Sequence, residues 1–83
     1  MEKETRVAVI GIVISNREET AGKVNEILSS YGRIIVGRMG IPYRERGISV
    51  ISVIADGTGD EIGALTGKLG NLKGVRVKVA LTY

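Results

Sequence analysis

The chain contains no cysteine, histidine, tryptophan or phenylalanine, and only one proline. Without thiols or imidazoles it can form no disulfide, thiolate nucleophile or imidazole base, nor a zinc or nickel site of the usual nitrogen and sulfur donors. No metal on such donors is expected, which leaves only binding through carboxylates open, and no cofactor is called for. The lack of cysteine also suits a cytoplasmic setting. Aromatic residues make up 4% of the chain, all of them tyrosine, so the strands offer no aromatic platform for stacking bases. Charge of one sign is scarce too: 12 basic and 9 acidic residues leave a net charge of +3, far from a nucleic-acid footprint. No apolar run approaches the roughly 20 residues of a membrane-spanning helix. The opening Met1-Glu2-Lys3-Glu4 is too charged for a signal sequence. The expectation is a soluble protein that touches neither nucleic acid nor membrane directly.

What is present is branched aliphatic. Of the 83 residues, 43% are hydrophobic, and valine, isoleucine and leucine must build the core. A chain of this length is expected to form one domain over residues 1–83, with residues 1–4 as a flexible start. Residues 5–14, TRVAVIGIVI, are apolar at nearly every position, as a strand covered on both faces would be. Asn16 and Glu19 match a capping box, followed by Ala21, Val24, Leu28 and Tyr31 at helical spacing and a stop at Gly32. Residues 33–41 predict a second strand that ends at Pro42 or lies at a sheet edge, and 48–55 a third, joined by a polar hairpin tip over 42–47. A turn at residues 56–59 and a second capping box from Thr58 to Glu61 open a helix with Ile62, Leu65, Thr66, Leu69 and Leu72 on one stripe. Val75, Val77, Val79 and Leu81 then alternate with polar positions and are expected to face the helices.

The order β-α-β-β-α-β is the split βαβ plan: an α+β, ferredoxin-like two-layer sandwich, with a four-stranded antiparallel sheet and two helices on one face. A faint internal repeat agrees with it. Ile12, Ser15, Gly22, Val24, Leu28, Tyr31 and Val36 recur, with the same spacing, as Val53, Asp56, Gly63, Leu65, Leu69, Leu72 and Val77.

Three stretches carry a family resemblance: Arg38-Met39-Gly40-Ile41-Pro42-Tyr43, the run from Ile51 through Asp56-Gly57-Thr58-Gly59-Asp60-Glu61-Ile62, and Leu65-Thr66-Gly67-Lys68-Leu69-Gly70 with Gly74-Val75-Arg76-Val77-Lys78. In order and spacing they resemble the small iron-only hydrogenase system regulators. That family is similar in fold to ACT domains and to the C-terminal sensor domain of the nickel-responsive repressor. The resemblance implies a regulatory, oligomeric, ACT-like module. The nickel sensor holds its metal with histidine and cysteine, which this chain lacks, so nickel binding is not carried over. No DNA-binding segment precedes Thr5, so a role in transcription would need a partner protein.

Several groups could bind a ligand. Ser15, Asn16 and Arg17 form the loop into the first helix, where free amides suit a carboxylate or phosphate and where ACT-like domains commonly meet an effector; the alternative is ordinary capping by Asn16. Gly37 and Gly40 leave room for a ligand or a neighbouring backbone, or else mark edge irregularity. The Asp56–Asp60 glycine loop lacks the lysine of a phosphate loop and reads more simply as a capped turn. Arg33, Arg38, Arg44 and Arg46 read as a solvated edge that discourages sheet aggregation, an account that Arg76 and Lys78 also fit, with an anion or nucleic-acid patch as the alternative for the first four.

The most informative feature is an apolar excess. The first strand places Val7, Val9 and Val13 on one face and Ala8, Ile10, Ile12 and Ile14 on the other, and the third sets Val50 and Ile54 against Ile51 and Val53. Helices cover only one face of a two-layer sandwich, so the other should bear an exposed apolar patch of the kind that marks an interface. The leading expectation is a homodimer or homotetramer that senses a small-molecule effector between subunits. A scaffold binding a protein partner by strand addition is the alternative. An acylphosphatase-like enzyme is a third, weaker reading, since no nucleophile and base pair is evident and no catalytic residue can be named.

Overall fold

A computed structural model describes residues 4–15 and 18–83. Its elements run β1 (Arg6–Ser15), α1 (Glu18–Ser30), β2 (Ile35–Tyr43), β3 (Ile48–Gly57), α2 (Gly59–Gly70) and β4 (Val75–Leu81), with single 3-10 turns at Gly32–Ile34 and Arg44–Arg46. The strands form one antiparallel sheet in the order β2-β3-β1-β4. This is the ferredoxin-like α+β arrangement that the element order implies.

Paired residues in an antiparallel sheet share a face, so the register sorts every strand residue. Ile12 pairs with Ile51 and Val77, and Ile10 with Val53 and Val79. These belong to the helix-covered face, where Ala8, Ile10, Ile12, Ile14, Ile51, Val53 and Ala55 are buried with Val24, Leu28, Ile62, Leu65 and Leu69 from the helices. Ile27, Tyr31 and Leu72 pack around that core. The helices fold where the apolar spacing of the sequence requires, since an amphipathic stripe is stable only when buried against a partner layer.

Several boundaries move. The stretch expected to begin the second strand instead closes a 3-10 turn, with the Ile34 N–H donating to the Tyr31 carbonyl at 3.0 Å. β2 runs on through Pro42 to Tyr43, because an outer strand needs ladder bonds on one side only. The hairpin tip shrinks to Arg44–Arg46 and Gly47, which takes φ 65°. β3 continues through Asp56 and Gly57, both paired to β1, so only Thr58 separates strand from helix. Val79 and Leu81 share the helix-side parity yet stay 40% and 50% exposed, since they lie on an outer strand. The capping box expected from Asn16, and residues 1–3 of the expected flexible start, lie outside the described residues. No helix among the described residues is long and apolar enough to cross a membrane.

Candidate functional site

The uncovered face of the sheet is where this chain departs from a simple sandwich. Reading across β2, β3, β1 and β4, one row is Ile41, Val50, Val13 and Arg76. Two residues along each strand lie Met39, Ser52, Gly11 and Lys78, and beyond them Gly37, Ile54, Val9 and Ala80. Two rows are thus apolar except for the arginine on the outer strand. An antiparallel sheet exposed to water normally carries polar residues on that side. Here Val9, Val50 and Ile54 are 38%, 37% and 44% exposed on the two central strands, and Met39, Ile41 and Tyr43 continue the patch on β2. The face expected from the doubled apolar pattern of β1 and β3 is present in the fold.

At one end of this face β1 finishes at Ser15, which pairs with Ile48 of β3 and donates its N–H to the Gly74 carbonyl at 2.9 Å. The approach is close: a Cβ on Gly74 would lie 2.6 Å from the Ser15 Oγ, and Gly74 adopts φ 82°. Two clefts open on either side of this contact. One, of about 450 Å³, lies toward the start of α1 and is lined by Glu19, Thr20, Lys23, Leu72 and Lys73. Lys23 Nζ stands 3.5 Å from Glu19 Oε1, an exposed pair one helical turn apart. The other, of about 650 Å³, opens on the uncovered sheet face between Val13, Ile48, Arg46 and Arg76.

The residues singled out from sequence do not all meet. Ser15 borders both clefts. Asn16 and Arg17 lie outside the described residues. Gly37 sits beside a bulge in β2 on the uncovered face, whereas Gly40 pairs with Ile51 on the helix side, so the sheet separates them. Gly40 borders a shallow opening of about 190 Å³ between α1 and β2, where Arg38 Nη2 donates to Asn25 Oδ1 at 2.8 Å. The expected Asp56–Asp60 glycine loop is instead the end of β3, the cap residue Thr58 and the first turn of α2. The Thr58 N–H donates to Glu61 Oε1 at 2.9 Å and the Glu61 N–H to Thr58 Oγ1 at 3.1 Å. Arg33 Nη2 donates to Glu61 Oε2 at 2.6 Å. The Thr58 backbone bond, followed by the Arg33 guanidinium, holds the Glu61 carboxyl below its ordinary value.

Residue-type reasoning passed over Arg46, Arg76 and Gly74 as parts of one place. Residue type alone groups these arginines with Arg33 and Arg38, whereas strand parity sets Arg38 and Arg76 on opposite faces and Arg46 lies in a turn. Arg38 pairs with Val53 on the helix side, and Arg76 pairs with Val13 on the uncovered side. That parity was available once β4 had been placed.

Comparison with known proteins narrows the context. The family model for TM1266-like iron-only hydrogenase system regulators matches residues 6–79. The structure of the uncharacterized protein TM1266 from Thermotoga maritima superposes with a TM-score of 0.94 at 39% identity, covering 96% of this chain and 100% of that one. A formyltetrahydrofolate deformylase from Pseudomonas putida KT2440 matches with a TM-score of 0.66 at 13% identity, over 92% of this chain and 29% of that one. An unknown protein from Galdieria sulphuraria matches with a TM-score of 0.66 at 14% identity, over 96% and 46%. The last two speak to the fold alone. No curated protein sequence matches the chain.

Proposed function

Because this chain belongs to the TM1266-like family of iron-only hydrogenase system regulators, we propose that it is a non-enzymatic regulatory module that works as a homodimer or homotetramer. In this reading it is an ACT-like unit of the cytoplasm. It answers to a small molecule held between subunits near Ser15, Asn16 and Arg17, with the bare backbone at Gly37 admitting the neighbouring chain on the uncovered face, while Gly40, on the helix side, stands apart from that contact.

The observation that carries the proposal is the uncovered face, with Ile41, Val50 and Val13 in one row and Ile54 and Val9 in another. A patch of several hundred Å² is large for a monomer. At about 25 cal/mol per Å² its burial would contribute several kcal/mol per subunit before the costs of association. A second copy is the simplest occupant, because a patch with apolar rows flanking a row of mixed character can meet itself across a two-fold axis. Regulation then follows physically. A ligand that binds across the joint favours the assembled state by as much as it prefers that state over the free subunit.

Light scattering coupled to size exclusion, run across a range of protein concentrations, tests the premise. A dimer or tetramer mass is expected. A monomer at every concentration would remove the physical basis of the proposal.

A further inference from the structure

The cleft on the uncovered face joins an apolar base to basic side chains. Its floor is Val13, on β1, and Ile48, which pairs with Ser15 at the first residue of β3. Its walls carry Arg46, from the 3-10 turn before β3, and Arg76, paired with Val13 on β4. Ser15 also lines the cleft, with its Oγ close against Gly74, another lining residue.

None of the lining residues is a carboxylate. Among the described residues, Arg46 and Arg76 have neither an ion-pair nor a side-chain hydrogen-bond partner, whereas Arg33 pairs with Glu61 and Arg38 hydrogen-bonds to Asn25. The adjoining cleft across the Ser15–Gly74 contact adds Lys23 and Lys73 against the single carboxylate of Glu19. The end of the sheet is therefore cationic on both sides of one contact, although the whole chain carries only +3.

The geometry points to this cleft as a binding site for a small organic oxyanion with an aliphatic body, the anionic head held by Arg46, Arg76 and the Ser15 hydroxyl, and the body resting on Val13 and Ile48. Guanidinium groups present planar, fork-shaped donors that match carboxylate and phosphate oxygens. An apolar floor with a few convergent polar groups is the usual make-up of a small-molecule site. Water competes well for an exposed arginine alone, but two arginines over one trough share an anion that neither holds alone. A bulkier head carrying further charge could also engage Lys73 across the Ser15 rim. The inference deepens the regulatory reading and rests on it in one respect: the cleft opens on the face assigned to the second copy, which would close over its mouth.

Carboxylate and phosphate heads share this chemistry, and the probes separate them. Isocaproate, butyl phosphate, inorganic phosphate and the neutral isocaproamide are titrated at low ionic strength in an amine buffer, following backbone amide shifts by NMR. Saturable shifts at Ser15, Ile48, Gly74 and Arg76 are expected with isocaproate or butyl phosphate, and the one that binds more tightly names the head. Arg46→Gln and Arg76→Gln should each weaken binding roughly tenfold or more, the loss of a charge-assisted hydrogen bond. Arg44→Gln makes the same charge change in the same turn outside the cleft, and should leave binding unaltered. Added salt should weaken binding in the wild type.

The inference is overturned by no saturable shift with either tailed anion, or by equal binding of the neutral amide. It is overturned equally if inorganic phosphate binds as tightly as butyl phosphate, or if Arg44→Gln weakens binding as much as Arg46→Gln. Light scattering on the same samples keeps the two ideas apart. An oligomer that ignores every probe sinks the oxyanion site alone, whereas a monomer that binds one sinks the oligomeric reading alone.

Discussion

At the scale of single residues, two glycines show how backbone and packing combine. Gly47 and Gly74 are the described residues with positive φ, at 65° and 82°. Around Gly47 there is open space for a Cβ, so a side chain there meets only the conformational penalty of the left-handed region. At Gly74 the same penalty is joined by a collision, since the added carbon would sit 2.6 Å from the Ser15 Oγ. Gly47→Ala should therefore cost about 1 kcal/mol. Gly74→Ala should cost more, about 2–3 kcal/mol, because strain and a displaced Ser15 add. Urea denaturation of both variants checks the order, and equal costs would mean that Ser15 yields freely. The sequence makes both glycines visible as turn residues. Only the fold reveals that Gly74 packs against a residue nearly sixty positions earlier, because that contact arises when β4 pairs with β1.

Among the elements, α2 was legible almost residue by residue. Its capping box and the stripe of Ile62, Leu65 and Leu69 are local features, fixed by helical spacing and first-turn chemistry. β2 was less legible, since the sequence left open whether Pro42 ends the strand or lies at an edge. The answer depends on which strand occupies the outside, a property of the whole sheet.

The cap of α2 also carries a pH dependence. Glu61 accepts from the Thr58 N–H and from Arg33, and its carboxyl is lowered from an ordinary value of 4.5. A carboxylate depressed in the folded state stabilises the protein above its unfolded value, and that stability is lost as pH falls through the lower folded value. Melting temperature in the wild type should hold above about pH 5 and fall with acidification below it. In Glu61→Gln this contribution should be absent, so the variant should melt lower at pH 7 and approach the wild type at pH 3. Parallel melting curves across that range would show that the cap carries no pH-dependent stability.

For the whole molecule, the decisive property is the doubled apolar pattern of β1 and β3. Sequence could say that both faces of these strands are apolar, and the structure shows helices over only one of them. If a second copy covers the other, unfolding is linked to dissociation, and the melting temperature must rise with protein concentration. Ile54 is the residue to change. It pairs with Val9 and faces away from the helices, 44% exposed, so a lysine there finds water in a single subunit and an apolar wall in an oligomer. In Ile54→Lys the mass should fall to that of a monomer, and the concentration dependence of melting should disappear. The fold should survive, because Ile10, Ile12 and Val53 keep their packing on the covered side. A wild type whose melting is unchanged over about a hundredfold range of concentration would show that no association equilibrium underlies its stability. An Ile54→Lys variant that still assembles would shift the interface from the centre of this face toward the outer strand β2, where Met39 and Val36 are the more exposed.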